Sequence, residues 1–137
     1  MLRQQVGDEN FWKGIREYYR IYKNGNAWTD DFRRVMESVS GQNLGWFFQQ
    51  WLRQAGHPVI QPEWRWWPKE KMLALTLRQT QRGTFFRLPI EIEIITGGAK
   101  IRHTVWMEKT ASHFKLRQEV KPEHVTLDPD EKILMTQ

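Results

Sequence analysis

The sequence predicts an α+β chain, with an N-terminal helical segment followed by an antiparallel β-sandwich. Three observations carry this. Up to Gly56-His57-Pro58, apolar residues recur at helical spacing and are punctuated by capping residues. Beyond that tripeptide the apolar period changes to two. Short turn signals then separate the alternating runs at hairpin spacing.

Met1 to Val6 reads as the last turns of a helix closed by Gly7, so the chain is expected to have been cut from a longer one. Asp8-Glu9 opens a second helix, with acidic groups at its positive end. Phe11, Ile15, Tyr18 and Tyr22 form its apolar face, widened by Trp12 and Tyr19, and Asn24-Gly25-Asn26 ends it. Thr29 is the expected N-cap of a third helix with Phe32, Val35, Met36 and Val39 on one side, stopped by Ser40-Gly41. Asn43 starts a fourth, carrying Leu44, Phe47, Phe48, Trp51 and Leu52, with Gly56 as its stop. Short connections between amphipathic helices describe a bundle or the edge of one.

The strand series begins at Trp64-Arg65-Trp66-Trp67. Leu73, Leu75 and Leu77 alternate with Ala74 and Thr76, and Ile90, Ile92 and Ile94 with Glu91 and Glu93. Ile101, His103, Val105 and Met107 follow, then Phe114 and Leu116, and Val125-Thr126-Leu127 nearly closes the series. Gly97-Gly98 reads as a hairpin turn. Six or so short strands of this kind suggest a sandwich or partial barrel.

Composition limits the function classes. The 137 residues carry a net charge of +5, yet the longest basic run is the pair Arg33-Arg34. Charges of both signs alternate, as on a solvated surface, which argues against nucleic-acid binding. With no cysteine there is no disulfide, thiolate metal site or cysteine nucleophile. No apolar run reaches the ~18–20 residues of a membrane span. The first residues contain no signal-peptide core, and any targeting signal of a longer parent would lie upstream. The compartment is not legible. Eight tryptophans are a heavy load for so short a chain, and some are expected to face a partner or a missing domain.

A hydrolytic metal site needs ligands brought together by tight spacing, as two histidines one helical turn apart. His57, His103, His113 and His124 are each isolated. His103, on the apolar side of its strand, reads as a core histidine with one hydrogen bond, and His57 as a residue of the junction loop. The carboxylate pairs Asp8-Glu9 and Asp30-Asp31 sit at helix N-termini, and Asp128-Pro129-Asp130 reads as a turn. Gly97-Gly98-Ala99-Lys100 lacks the phosphate-loop pattern. Trp64-Arg65-Trp66-Trp67 could stack on sugars or bases, but packing on both faces of a strand is the preferred reading. Tyr18, Tyr19 and Tyr22 are helix-face residues before they are catalytic phenols. No catalytic, cofactor-binding or metal-ligating residue is assigned.

The first part resembles the segment that follows the active site in aminopeptidase N-type zinc metallopeptidases, the gluzincin family of membrane alanyl aminopeptidase. The resemblance runs through Val6-Gly7-Asp8-Glu9-Asn10-Phe11-Trp12, Ile15-Arg16-Glu17-Tyr18-Tyr19, Ala27-Trp28-Thr29-Asp30-Asp31-Phe32, Met36-Glu37, Ser40-Gly41 and Phe47-Phe48-Gln49-Gln50-Trp51-Leu52. It ends at Gly56-His57-Pro58, where the family has Gly-x-Pro before a β-sandwich domain. Over residues 59–137 it rests on strand order, with Val125-Thr126-Leu127-Asp128-Pro129 as the local echo.

The resemblance implies that residues 1–57 are the C-terminal end of a thermolysin-like catalytic domain and 58–137 a β-sandwich domain. It implies a parent that hydrolyses N-terminal residues from peptides, with zinc held by H-E-x-x-H and a glutamate of the following helix. It further implies a tyrosine that stabilises the tetrahedral intermediate and a Gly-x-Met-Glu-Asn strand that anchors the substrate amine. None of these motifs is in this chain. The chain alone is therefore expected to hold no zinc and to have no activity, its partner being the rest of the parent polypeptide. Two alternatives stay open: a non-catalytic peptidase-fold interaction scaffold, and a stand-alone β-sandwich module for peptides or sugars with Trp64–Trp67 as its platform.

Overall fold

The computed structural model describes residues 1–137 and contains four helices followed by six strands. By internal contacts the chain divides into two units, Met1–Ala55 and Gly56–Gln137.

The first unit contains α1 (Leu2–Val6), α2 (Asp8–Tyr22), α3 (Thr29–Ser40) and α4 (Gly45–Arg53). Gly7 separates α1 from α2 at φ 84°, and its N–H donates to the Arg3 carbonyl. That left-handed backbone angle carries no penalty in glycine. The third helix begins at Thr29, the residue predicted to cap it, and so one residue earlier than expected. Trp28 is the N-cap, and its N–H donates to the Asp31 carboxylate at 2.9 Å, closing one half of a capping box. An indole has no acceptor to close the other half. The helix stops at Gly41, left-handed at φ 69°. Glu37 ties the next turn down: it accepts from the Leu44 N–H at 2.8 Å and pairs with Arg33 at 2.9 Å.

Val6, Met36 and Leu44 form the buried centre of this unit, with Leu2, Phe11, Ile15, Phe32 and Phe48 packed around it. Gly14 is the buried residue of α2 and lies against Met36, which is what lets α2 and α3 approach. The predicted apolar face of α2 is only half-buried at Phe11, Ile15, Tyr18 and Tyr22. Four short helices do not supply enough partner surface to cover it.

The second unit contains β1 (Ile60–Trp67), β2 (Met72–Gln79), β3 (Leu88–Thr96), β4 (Ala99–Met107), β5 (Ala111–Arg117) and β6 (His124–Leu127). They form two three-stranded antiparallel sheets, ordered β1-β2-β5 and β4-β3-β6. Gly97 and Gly98 make the β3–β4 turn, both at positive φ as a two-residue hairpin requires. Each sheet buries one alternating face. Leu73, Leu75 and Leu77 are at most 1% exposed, as are Leu88, Ile90, Ile92 and Ile94. Burying each contributes about 2 kcal/mol. The sheets are linked at their ends, where Gln118 Nε2 donates to Thr96 Oγ1 at 2.8 Å. This is the α+β order predicted, helices first and an antiparallel open sandwich after.

Candidate functional site

The helical unit holds a groove of ≈ 610 Å³. Its floor is a relay of rings: Tyr18 meets Phe32 edge-on at 5.1 Å, Phe32 meets Phe48 at 6.2 Å, and Phe47 lies against Phe48 and Trp51. Such contacts favour one arrangement by roughly 0.5–1.5 kcal/mol each beyond area burial, so the floor is rigid. Trp28 and Leu52 flank it and are 79% and 62% exposed. Trp28 owes that position to its cap. As the residue outside α3, held by its N–H to Asp31, it places its indole beyond the helix stripe. Leu52, assigned from sequence to the apolar side of α4, is in fact one of the most exposed leucines of the chain. An aromatic floor with a large exposed apolar rim is the signature of a surface made to be covered. Sequence reasoning had the signal in its excess of tryptophan but could not say which ones would stay uncovered.

The histidines do not converge. His57 Nε2 meets Thr136 Oγ1 at 3.0 Å, and His113 Nδ1 meets Thr76 Oγ1 at 3.0 Å. His124 is exposed on β6. His103 stands opposite Ile92, and its Nε2 is buried with no hydrogen-bond partner. No group of three or more His, Asp or Glu side chains is placed to hold a metal ion. The zinc implied by the family resemblance therefore finds no fitting donor set among these residues.

The carboxylate pairs serve the backbone or cations. Asp8 pairs with Arg3 and Asp31 caps α3. Asp128, 5% exposed, accepts from the Lys132 and Ile133 N–H groups at 3.1 and 2.8 Å. Asp130 takes two bonds from Arg102 and one ion pair from Lys132, and these hold its carboxyl at about 2. Lys132 and Arg102 also lower Glu91. Among the tyrosines, burial and the neighbouring Asp31 push the Tyr22 phenol up, so it keeps its proton. Tyr18 lines the groove and Tyr19 is 69% exposed.

The register settles how the Trp-rich strand faces. Trp64 and Trp66 stand opposite Leu75 and Leu73, on the buried side of the sheet, and Trp66 Nε1 donates to the Gln118 carbonyl at 3.1 Å. Arg65 and Trp67 stand on the outer side, opposite Ala74 and Met72. Gly97 donates its N–H to the Glu123 carboxylate at 2.7 Å, so that donor is already taken by an anionic side chain of the same unit.

Comparison with known proteins places this geometry. Residues 1–51 match the peptidase family M1 domain. Aminopeptidase N of Lactococcus lactis subsp. cremoris is 35% identical over 63 residues, covering 46% of this chain and 7% of that protein. Probable aminopeptidase 2 of Sulfurisphaera tokodaii is 26% identical over 135 residues, covering 93% of this chain and 16% of that protein. The crystal structure of Legionella pneumophila aminopeptidase A in complex with aspartic acid superposes on 91% of this chain and 15% of its own, with a TM-score of 0.77 at 19% identity. The chain thus spans well under a fifth of the length of the relatives it resembles.

Proposed function

We infer, from the premise that this chain belongs to the M1 aminopeptidases, that it is the non-catalytic support of a zinc-dependent enzyme that removes N-terminal residues from peptides. Residues 1–57 are proposed as the end of the catalytic domain and 58–137 as the following β-sandwich domain. The observation that carries the reading is the groove over Phe32, Phe47 and Phe48 with exposed Trp28 and Leu52. It lies within residues 1–52, almost the span that matches the M1 domain. Its proposed occupant is apolar surface from the remainder of that domain. Zinc and the chemistry belong to that remainder, and no residue of this chain is proposed to touch substrate.

Two measurements test this. The purified chain, incubated with zinc, is expected to retain none after dialysis and to leave aminoacyl p-nitroanilides uncleaved. Zinc-dependent cleavage would overturn the non-catalytic role. Reading the coding sequence upstream of Met1 tests the parent, with H-E-x-x-H and a glutamate on the next helix expected. An M1-like sequence lacking that motif would favour the interaction-scaffold reading instead.

A further inference from the structure

The two sheets of the second unit treat their outward charges differently. On the outer face of β4-β3-β6, three carboxylates and three cations satisfy one another. Arg102 joins Glu91, Glu93 and Asp130, Lys132 joins Glu91 and Asp130, and Lys100 reaches Glu93. That face needs no counter-ion.

The outer face of β1-β2-β5 is not balanced. Three rows cross it: Trp67–Met72–Arg117, then Arg65–Ala74–Lys115, then Glu63–Thr76–His113. Residues directly opposite in antiparallel strands share a face, so each row is a line of neighbouring side chains. Lys71 and Arg117 share Glu119, and Arg78 reaches Glu63 at 4.0 Å. Arg65 and Lys115 are both exposed, and neither has a carboxylate within ion-pair distance. They stand two strands apart, about 10 Å between backbones. The residue between them is the small Ala74, and Lys115 Nζ lies 5.9 Å from the centre of the Trp67 ring.

We propose that this outer face is a docking surface for an acidic polypeptide segment. One or two of its carboxylates sit between Arg65 and Lys115, and an apolar side chain rests on Trp67 and Met72. The charge pattern favours a peptide over a continuous polyanion. Two unpaired cations match one or two carboxylates, whereas Glu63 and Glu119 on the same face and rim would repel a phosphate or sulfate backbone running across it. The ring beside the cations supplies apolar contact and holds Lys115 in place.

The test uses the full chain and a short fluorescent peptide alternating glutamate and leucine, read by anisotropy. Saturable binding that weakens with added salt is expected. Reversing both cations, Arg65→Glu with Lys115→Glu, is expected to weaken it at least about tenfold. Trp67→Ala is expected to weaken it about threefold. Reversing Lys13 and Arg16 on the helical unit changes net charge equally and is expected to leave binding unchanged. If the reversed pair fails to fold by thermal melting, Arg65→Gln with Lys115→Gln serves in its place. The proposal falls if the unaltered chain does not bind the peptide, or if the Arg65/Lys115 variants bind it as well. It also falls if heparin or single-stranded DNA binds this face more tightly than the peptide.

Discussion

A methyl group added to Gly14 would lie 2.5 Å from the sulfur of Met36, inside any contact two such atoms tolerate. Met36 is 1% exposed, so any shift of its thioether end has to be taken up inside the packed core. Replacing a helical glycine by alanine ordinarily stabilises by up to ~1 kcal/mol. Here the overpacking penalty, ~1–3 kcal/mol, outweighs it. Gly14→Ala is therefore expected to destabilise the helical unit by about 1 kcal/mol in urea titration. In a Met36→Ala background the same change should become neutral or stabilising, and a cost that persists there would show that the clash is not its origin.

Gln79 bridges a loop that its own strand leads into. Its side-chain amide donates to the Phe86 carbonyl and accepts from the Phe86 N–H, both at 2.7 Å in a buried setting. Gln79→Leu has similar bulk but offers neither group. A loss of ~1–3 kcal/mol is expected, read as a lowered melting temperature of the sandwich unit. Gln79→Glu keeps the acceptor but sets a second carboxylate oxygen against the Phe86 carbonyl, so its loss is expected to be at least as large.

Asp130 links pH to stability through Arg102 and Lys132. Its folded carboxyl titrates at about 2, below its ordinary value of 3.8. A depressed carboxylate stabilises the fold above its unfolded value, and that contribution is lost as pH falls through the folded one. Glu91, also lowered by Lys132 and Arg102, adds in the same direction. Melts are expected to show stability declining from about pH 4 to pH 2. Asp130→Asn should make that decline shallower, and an unchanged slope would rule this pair out as its source.

Trp28 and Leu52 separate folding from association. Both are largely exposed, so Trp28→Ser and Leu52→Ser should change the stability of the isolated chain by no more than ~0.5 kcal/mol. Co-expressed with the remainder of the catalytic domain of the proposed parent, the double variant is expected to lose copurification that the unaltered chain retains. Retention by the double variant would remove the groove from the proposed interface.

Sequence alone determined the order of elements, because that order is written in local terms. Helical spacing from Phe11 to Tyr22, the stop at Gly41 and the paired glycines at 97 and 98 each act over a few residues. The Leu73–Leu77 and Ile90–Ile94 alternations likewise named the buried faces of both sheets. The resemblance to the M1 peptidase domain was legible for the same reason, since it rests on contiguous residues of the helical segment. The α3 cap was misplaced by one residue because Trp28 and Thr29 can both precede a helix. Only the Asp31 carboxylate, folded back onto the Trp28 N–H, decides between them.

Tertiary structure alone decided which apolar residues are left over. Leu52 and Phe47 share an apolar helix in the sequence, yet one is 62% exposed and the other 8%. Periodicity says which way a side chain leans but not whether a neighbour arrives to cover it. The same holds for charge: Arg102 and Lys115 both sit on strands, but carboxylates from β3 and the Asp130 turn surround only the first. Glu91 and Glu93 come from the neighbouring strand of the hairpin, but Asp130 lies 28 residues from Arg102, so the groove and the uncompensated sheet face came into view only once the fold had brought distant segments together, or left them apart.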